Sequence, residues 1–256
     1  MIKKSHYASI GLFLLSILLN ALSSQGKLLP YTQAQISDRY NNVLAPDYFT
    51  FSIWGVIYLL FAVSLAYPFI KRKHPLKDIQ QAIAPYNVMW ILANIAWIIC
   101  WSNNWLFLSL LVISFYLVVL VLINTKINAF TNSPALWLMR LTHGLHAGWL
   151  IAAWFANAMA FLVKLGVPGQ GFIGVTLAIV MAIAIVGLAY LVQGQTQNPL
   201  TLLALIWAFA GIASKNAPSS LYTGASSVIL VLSWLCIGLL IFFFLKAFAS
   251  RTRRTY

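Results

Sequence analysis

The charges of this chain stand between its apolar runs and almost never inside them: sixteen Lys or Arg and three Asp, with no Glu, are all that 256 residues contain. A helix of about twenty apolar residues spans the ~30 Å hydrocarbon core, where only a helix or a closed barrel satisfies the backbone's hydrogen bonds. Eight runs fit, at 7–23, 48–70, 84–101, 106–125, 143–164, 172–193, 199–214 and 227–248. The expected fold class is all-α, a polytopic transmembrane helix bundle of about eight spans. The run 199–214 is the weakest, opened by Asn198-Pro199 and closed by Lys215-Asn216. A tilted, buried or re-entrant segment is the alternative there.

Lys and Arg accumulate in cytoplasmic segments, so they orient the spans. With eight spans, one side collects Lys3, Lys4, Lys71, Arg72, Lys73, Lys77, Lys126, Arg140, Lys246, Arg251, Arg253 and Arg254, and the other only Lys27, Arg39, Lys164 and Lys215. Both termini are thus expected in the cytoplasm. The first run, ending Asn20-Ala21-Leu22-Ser23, superficially resembles a signal peptide, but an uncleaved first span is the preferred reading. Net charge of +13 falls in short clusters beside spans, which reads as topology signal and attraction for anionic lipids at the cytoplasmic face. Nucleic acid is excluded as a partner for want of any module to bind it. Cys100 and Cys236 lie within spans, so no disulfide framework is indicated.

Two connections are long. Residues 24–47 are polar, carry Tyr31 and Tyr40, and are read either as cover for a pocket mouth or as a solvated loop. Residues 71–83, with Lys-Arg-Lys-His at 71–74, read as a lipid-facing anchor. A turn-rich break follows Lys164, at Gly166, Pro168, Gly169 and Gly171. Eight of the ten Trp precede it, only Trp207 and Trp234 follow, and functional chemistry is therefore sought before the break.

There, Trp90, Asn94, Trp97 and Trp101 recur at i, i+4, i+7 and i+11, on one face of a helix. An amide facing lipid leaves donors and acceptors unpaired at a cost of roughly a few kcal/mol, so this face is expected to point into the bundle. His146, Trp149, Ala153 and Asn157 repeat the pattern, and Gly144-x-x-x-Gly148 allows another helix to approach closely. Phe51, Trp54 and Tyr58 form a third face, with Gly55 beside them. Three such faces suit a flat apolar ligand, stacked on rings and oriented by amides, indole N–H and hydroxyl. Plain helix packing is the competing reading.

The segment Pro46-Asp-Tyr48-Phe-Thr-Phe-Ser52-Ile-Trp54-Gly55-Val-Ile-Tyr58 resembles the second-span signature of the TspO family, the tryptophan-rich sensory or translocator proteins. Asn94-Ile-Ala-Trp97 is similar to its third-span motif, and Trp149 with Asn157, eight positions on, to its fifth. This resemblance covers roughly residues 7–164. It implies a five-helix unit over 1–164, followed by three additional C-terminal helices and a basic tail over 165–256. It also implies a ligand pocket lidded by the first long loop, with Trp54, Tyr58, Asn94, Trp97, Trp149 and Asn157 as ligand-binding residues. Ligands of the resembling family are tetrapyrroles (porphyrin, haem) and sterols, in sensing or transport roles; no resident cofactor is implied. Tyr48 stands where that family usually has Trp, Ser52 where it often has Pro, and Trp90 where many members have Gln. The fourth span also lacks the acidic residue of some relatives.

Other classes fare less well. With Asp38, Asp47 and Asp78 in loops or at a span edge, paired-carboxylate catalysis is missing, and no enzyme is expected. His143-x-x-His146, read at a membrane edge, makes a poor metal site without a third ligand. A secondary transporter would carry an intramembrane charge, and none is evident. An accessory protein without a small ligand remains the main alternative. Expected partners are the lipid bilayer and a hydrophobic small molecule, with a homodimer left open.

Overall fold

The computed structural model describes residues 4–70, 76–130, 136–218, 224 and 226–252. The described residues form nine α-helices and no strand: α1 (Lys4–Ser24), α2 (Gln33–Arg39), α3 (Ile53–Ile70), α4 (Leu76–Ser102), α5 (Leu106–Ala129), α6 (Trp137–Lys164), α7 (Gly171–Thr196), α8 (Thr201–Lys215) and α9 (Ser227–Thr252). A 3-10 turn, Tyr48–Ser52, leads into α3. Among the described residues, seven helices are long and apolar enough to cross a membrane: α1, α3 with its leading turn, α4, α5, α6, α7 and α9.

α8 is the short one. Its fifteen residues rise about 22 Å, less than a ~30 Å hydrocarbon core. It nonetheless runs from one end of the bundle to the other, most of its residues buried against protein. Just before it, the Asn198 amide donates to Asn124 Oδ1 and to the Arg140 carbonyl, both at 2.8 Å. At its other end the Asn216 amide donates to the Val43 carbonyl at 2.9 Å. The run 199–214 is thus a buried helix crossing between the two ends of the bundle.

α1, α4, α5, α6 and α3 pack in that order around a ring, with only slight contact where α3 meets α1. α8 lies against α6, and α9 and α7 build outward from it. Two apolar cores result. One joins α1 and α3–α6 around Phe61, Trp90 and Tyr116, and the other joins α6–α9 around Met159, Leu205 and Phe209. The start of α1 and the end of α9 lie at the same end of the bundle: His6 Nε2 lies 3.1 Å from the Leu65 carbonyl, and Phe248 packs on Trp137.

Helix starts differ from the apolar runs for physical reasons. α4 begins at Leu76 instead of 84, since Lys77, Asp78 and Gln80 sit in its first turns and Pro85 lies inside it. α6 begins at Trp137 instead of 143. The connection 24–47 is not all loop: α2 starts with a capping box in which Gln35 N donates to Thr32 Oγ1 and Thr32 N to Gln35 Oε1. The basic residues at 71–74, with Lys3, Arg253 and Arg254, lie outside the described residues.

Candidate ligand-binding site

Small residues open the site. Ala152, Ala153, Ala156 and Ala160 place methyl groups along one side of α6, and a cavity lies against them. Trp54, Trp97, Trp101, Trp149 and Asn157 line it from the ring helices, and Ala208, Phe209 and Ile212 of α8 complete the wall. Above it sit Gln33 and Ser37 of α2 together with Asn42, Leu44 and Pro46. The first long connection therefore covers the cavity, as one of its two sequence readings held.

That cover is fastened to both halves of the molecule. Val43 N donates to the Gly169 carbonyl at 3.1 Å and Asp47 N to the Gly211 carbonyl at 3.1 Å. Asp47 also caps the 3-10 turn through Tyr48 N, and its other oxygen accepts from Ser214 Oγ at 2.9 Å. The Tyr48 hydroxyl donates to Asp38 of α2. Trp101 Nε1 donates to the Gln33 carbonyl at 3.2 Å.

A second space opens beside the first, between α1 and α3, where the ring is loosest. Ile17, Asn20, Tyr48, Gly55 and Tyr58 line this groove, and Gln33, Phe51, Trp54 and Trp97 face both spaces. The volumes differ greatly: about 60 Å³ for the central cavity and about 460 Å³ for the groove. Pockets that bury a drug-sized ligand run from about 300 to 1,000 Å³. The groove meets that size, and the cavity does so only by joining it, which requires the shared wall of Trp54 and Trp97 to part.

Aromatic contacts define the walls. Trp149 meets Phe51 (5.9 Å, 83°) and Trp54 (6.3 Å, 87°) edge to face, and Trp97 stacks on Trp101 (5.7 Å, 23°). Of the six residues expected from sequence, Trp54, Trp97, Trp149 and Asn157 line the cavity, while Tyr58 joins Trp54 and Trp97 at the groove. Asn94 lines neither space. It is buried behind Tyr58, its oxygen accepting from Ser16 (2.8 Å), Asn20 (3.2 Å) and Tyr58 (3.5 Å).

The two Asn residues therefore do different work. Asn157 Oδ1 accepts from Trp97 Nε1 (3.1 Å) and Ser109 Oγ (3.0 Å), and its amide donates to the Leu106 carbonyl (3.3 Å). It holds Trp97 and the start of α5 in place. The Asn94 amide nitrogen and Trp149 Nε1, both buried, have no hydrogen-bond partner. Replacing Asn157 by Leu removes the acceptor of Trp97 Nε1, while Ser109 Oγ and the Leu106 carbonyl keep their 2.9 Å bond to each other; replacing Asn94 by Leu removes the acceptor of Ser16, Asn20 and Tyr58. Each change is expected to lower stability by roughly 1–2 kcal/mol at most, since intramembrane hydrogen bonds of this kind average below 1 kcal/mol each. Thermal unfolding of the two single variants and the double variant in one detergent checks this.

His143 and His146 are buried inside the bundle instead of standing as interfacial residues. The extra turns of α6 put both in the core, where His146 Nε2 and the Tyr116 hydroxyl share a hydrogen bond at 2.5 Å and Trp90 stacks on Tyr116 (5.9 Å, 3°). Neither ring lines either space. Among the described residues no three His, Cys, Asp or Glu converge as metal ligands. No His, Cys or Met lines the cavity or groove, so a haem there would be held by its macrocycle, without an axial bond from those residue types.

Sequence reasoning missed the roof residues Gln33, Ser37 and Asn42 and the α8 wall. A signal existed for α2 and for α8, though none for Asn42. Thr32-x-x-Gln35 announces α2, and Gly144-x-x-x-Gly148 announces the helix that packs on α6. That helix is α8: a Cβ on Gly144 would lie 2.7 Å from the Asn198 amide, and one on Gly148 only 2.0 Å from the Thr201 carbonyl oxygen.

A polytopic helical membrane protein with an aromatic chamber roofed by its first long connection is the class these features define. A family model described as TSPO-like protein matches residues 6–246, and the chain belongs to that family. The match takes in the C-terminal helices, beyond the five-helix unit, residues 7–164, that the sequence resemblance covered. No curated protein and no solved structure shows significant similarity to the chain.

Proposed function

We propose that this protein binds a flat hydrophobic small molecule, tetrapyrrole- or sterol-like, among Trp54, Tyr58, Trp97 and Trp149, and acts as a sensor or transporter without catalysing a reaction. The observation that carries this reading is the convergence of four tryptophans, Trp54, Trp97, Trp101 and Trp149, from three helices on a chamber beneath the first connection. The groove opens between α1 and α3; in this reading the ligand arrives laterally from lipid through it and parts Trp54 from Trp97. Asn94 and Asn157 serve as positioning residues in the closed form. The unpartnered Trp149 indole N–H donates to an acceptor on the ligand. Purified protein screened against porphyrins, haem, sterols and carotenoids by Trp fluorescence tests this; saturable quenching by at least one class is expected, and none by any class overturns it.

The small closed cavity favours a second reading, a membrane accessory protein whose aromatic rings only pack helices. The same screen separates the two. We also infer that both termini face the cytoplasm, supported by the partition of basic residues and by the shared end of α1 and α9. In a background lacking Cys100 and Cys236, an impermeant thiol reagent applied outside is expected to label a cysteine at position 27 and spare one at position 77. The opposite pattern inverts the topology.

A further inference from the structure

Sharing no lining residue with the aromatic chamber, the ends of α5, α7 and α9 surround a cleft of about 560 Å³. Its rim is polar: Asn128, Gln193, Gln197, Lys246 and Ser250. Its floor is apolar, with Tyr190 packed on Phe243 at 5.1 Å. The floor continues into surface that faces outward, Tyr190 being 52% and Leu191 67% exposed. Gly194 leaves room in the wall, since a Cβ there would meet nothing within 4 Å.

The charge is one-sided. No Asp or Glu occurs after Asp78, so no carboxylate from α5, α7 or α9 faces the Lys246 ammonium. The cleft lies in the last turns of α7 and α9, at the end of the bundle that also holds Lys126 and Arg140. An ammonium among side-chain amides, at the level where an apolar helix leaves the bilayer, is a receptor for a phosphate that carries a hydrocarbon tail.

We propose that this cleft is a binding site for one anionic phospholipid, its phosphate on Lys246 with the Asn128 and Gln193 amides and one acyl chain along Tyr190, Leu191 and Phe243. A free phosphate would leave the apolar floor unused, and a zwitterionic lipid brings a choline cation toward Lys246. The site is separate from the aromatic chamber and stands whether or not that chamber binds a ligand.

The test uses full-length protein reconstituted in nanodiscs of equal phosphatidylcholine and phosphatidylglycerol, then transferred to detergent and examined for retained lipid by native mass spectrometry. Wild type is expected to keep one phosphatidylglycerol per chain in preference to phosphatidylcholine. Lys246→Gln is expected to lower that retention about fivefold, the size of one lysine's attraction near an anionic surface. Gly194→Phe, which fills the cleft and leaves every charge in place, is expected to lower it as much. Ser250→Leu, on the last turns of α9, is a second block should Gly194→Phe not fold. Lys27→Gln, in the connection after α1, is expected to change nothing, and millimolar glycerol phosphate is expected not to displace the lipid. Equal retention of both lipids by wild type overturns the proposal. Undiminished retention in Lys246→Gln or in the folded blocking variant does the same, and displacement by glycerol phosphate reassigns the cleft to a soluble phosphate.

Discussion

Gly148→Ala is expected to be among the most destabilising single-methyl additions in this chain. The new Cβ would sit 2.0 Å from the Thr201 carbonyl oxygen and 3.0 Å from its carbon. Both are main-chain atoms of α8, with no rotamer to yield. Overpacking that forces backbone shifts costs typically 1–3 kcal/mol, and this case falls at the upper end because α8 is also tied through Asn198 and Asn216. Gly187→Ala, on α7 with nothing within 4 Å of its Cβ, is the matched control. It is expected to be neutral or mildly stabilising, since Ala exceeds Gly in helix propensity by about 1 kcal/mol. Thermal unfolding of the two variants side by side checks the contrast; equal midpoints would mean that α6 and α8 do not touch as described.

Trp97→Leu and Trp149→Leu are each expected to weaken binding of the ligand that the fluorescence screen identifies by about fivefold or more. An aromatic contact contributes roughly 0.5–1.5 kcal/mol beyond the area it buries. Trp234→Leu is the control, because Trp234 lies on α9, away from the chamber, and is 60% exposed. Equal weakening by all three would report general loss of fold, and no weakening by the first two would remove the chamber as the site. Trp149→Phe separates ring from indole N–H. It retains most of the stacking surface and removes only the donor, so its loss should be confined to ligands that present an acceptor.

The bundle was readable because membrane insertion leaves few choices: apolar length sets the spans and an amide must find an interior partner. Asn94 and Asn157, both fully enclosed, follow from that rule alone. What failed did so where polarity and helix coincide. Gln80 reads as loop, yet it is buried and its amide donates to the Ser64 carbonyl at 2.6 Å, so α4 starts earlier than its apolar run. His143 and His146 read as interfacial because the residues ahead of them look like a connection. The faces of the site residues were readable from spacing, but their bonding was not. Nothing in a periodicity says that Asn157 is occupied by Trp97 and Ser109, or that α8, from beyond the motif-bearing helices, supplies a wall.

α8 has a double attachment. Its Ala208, Phe209 and Ile212 are a wall of the chamber, while its Gly211 carbonyl and Ser214 hydroxyl hold Asp47 of the roof. Wall and roof therefore hang on one beam, and the width of the chamber and the height of its ceiling are not independent coordinates. The beam's other flank rests on α9. A guest that pushes α8 aside lifts the ceiling and loads α9 in the same stroke, so the C-terminal helices are mechanically in series with the chamber rather than appended to it.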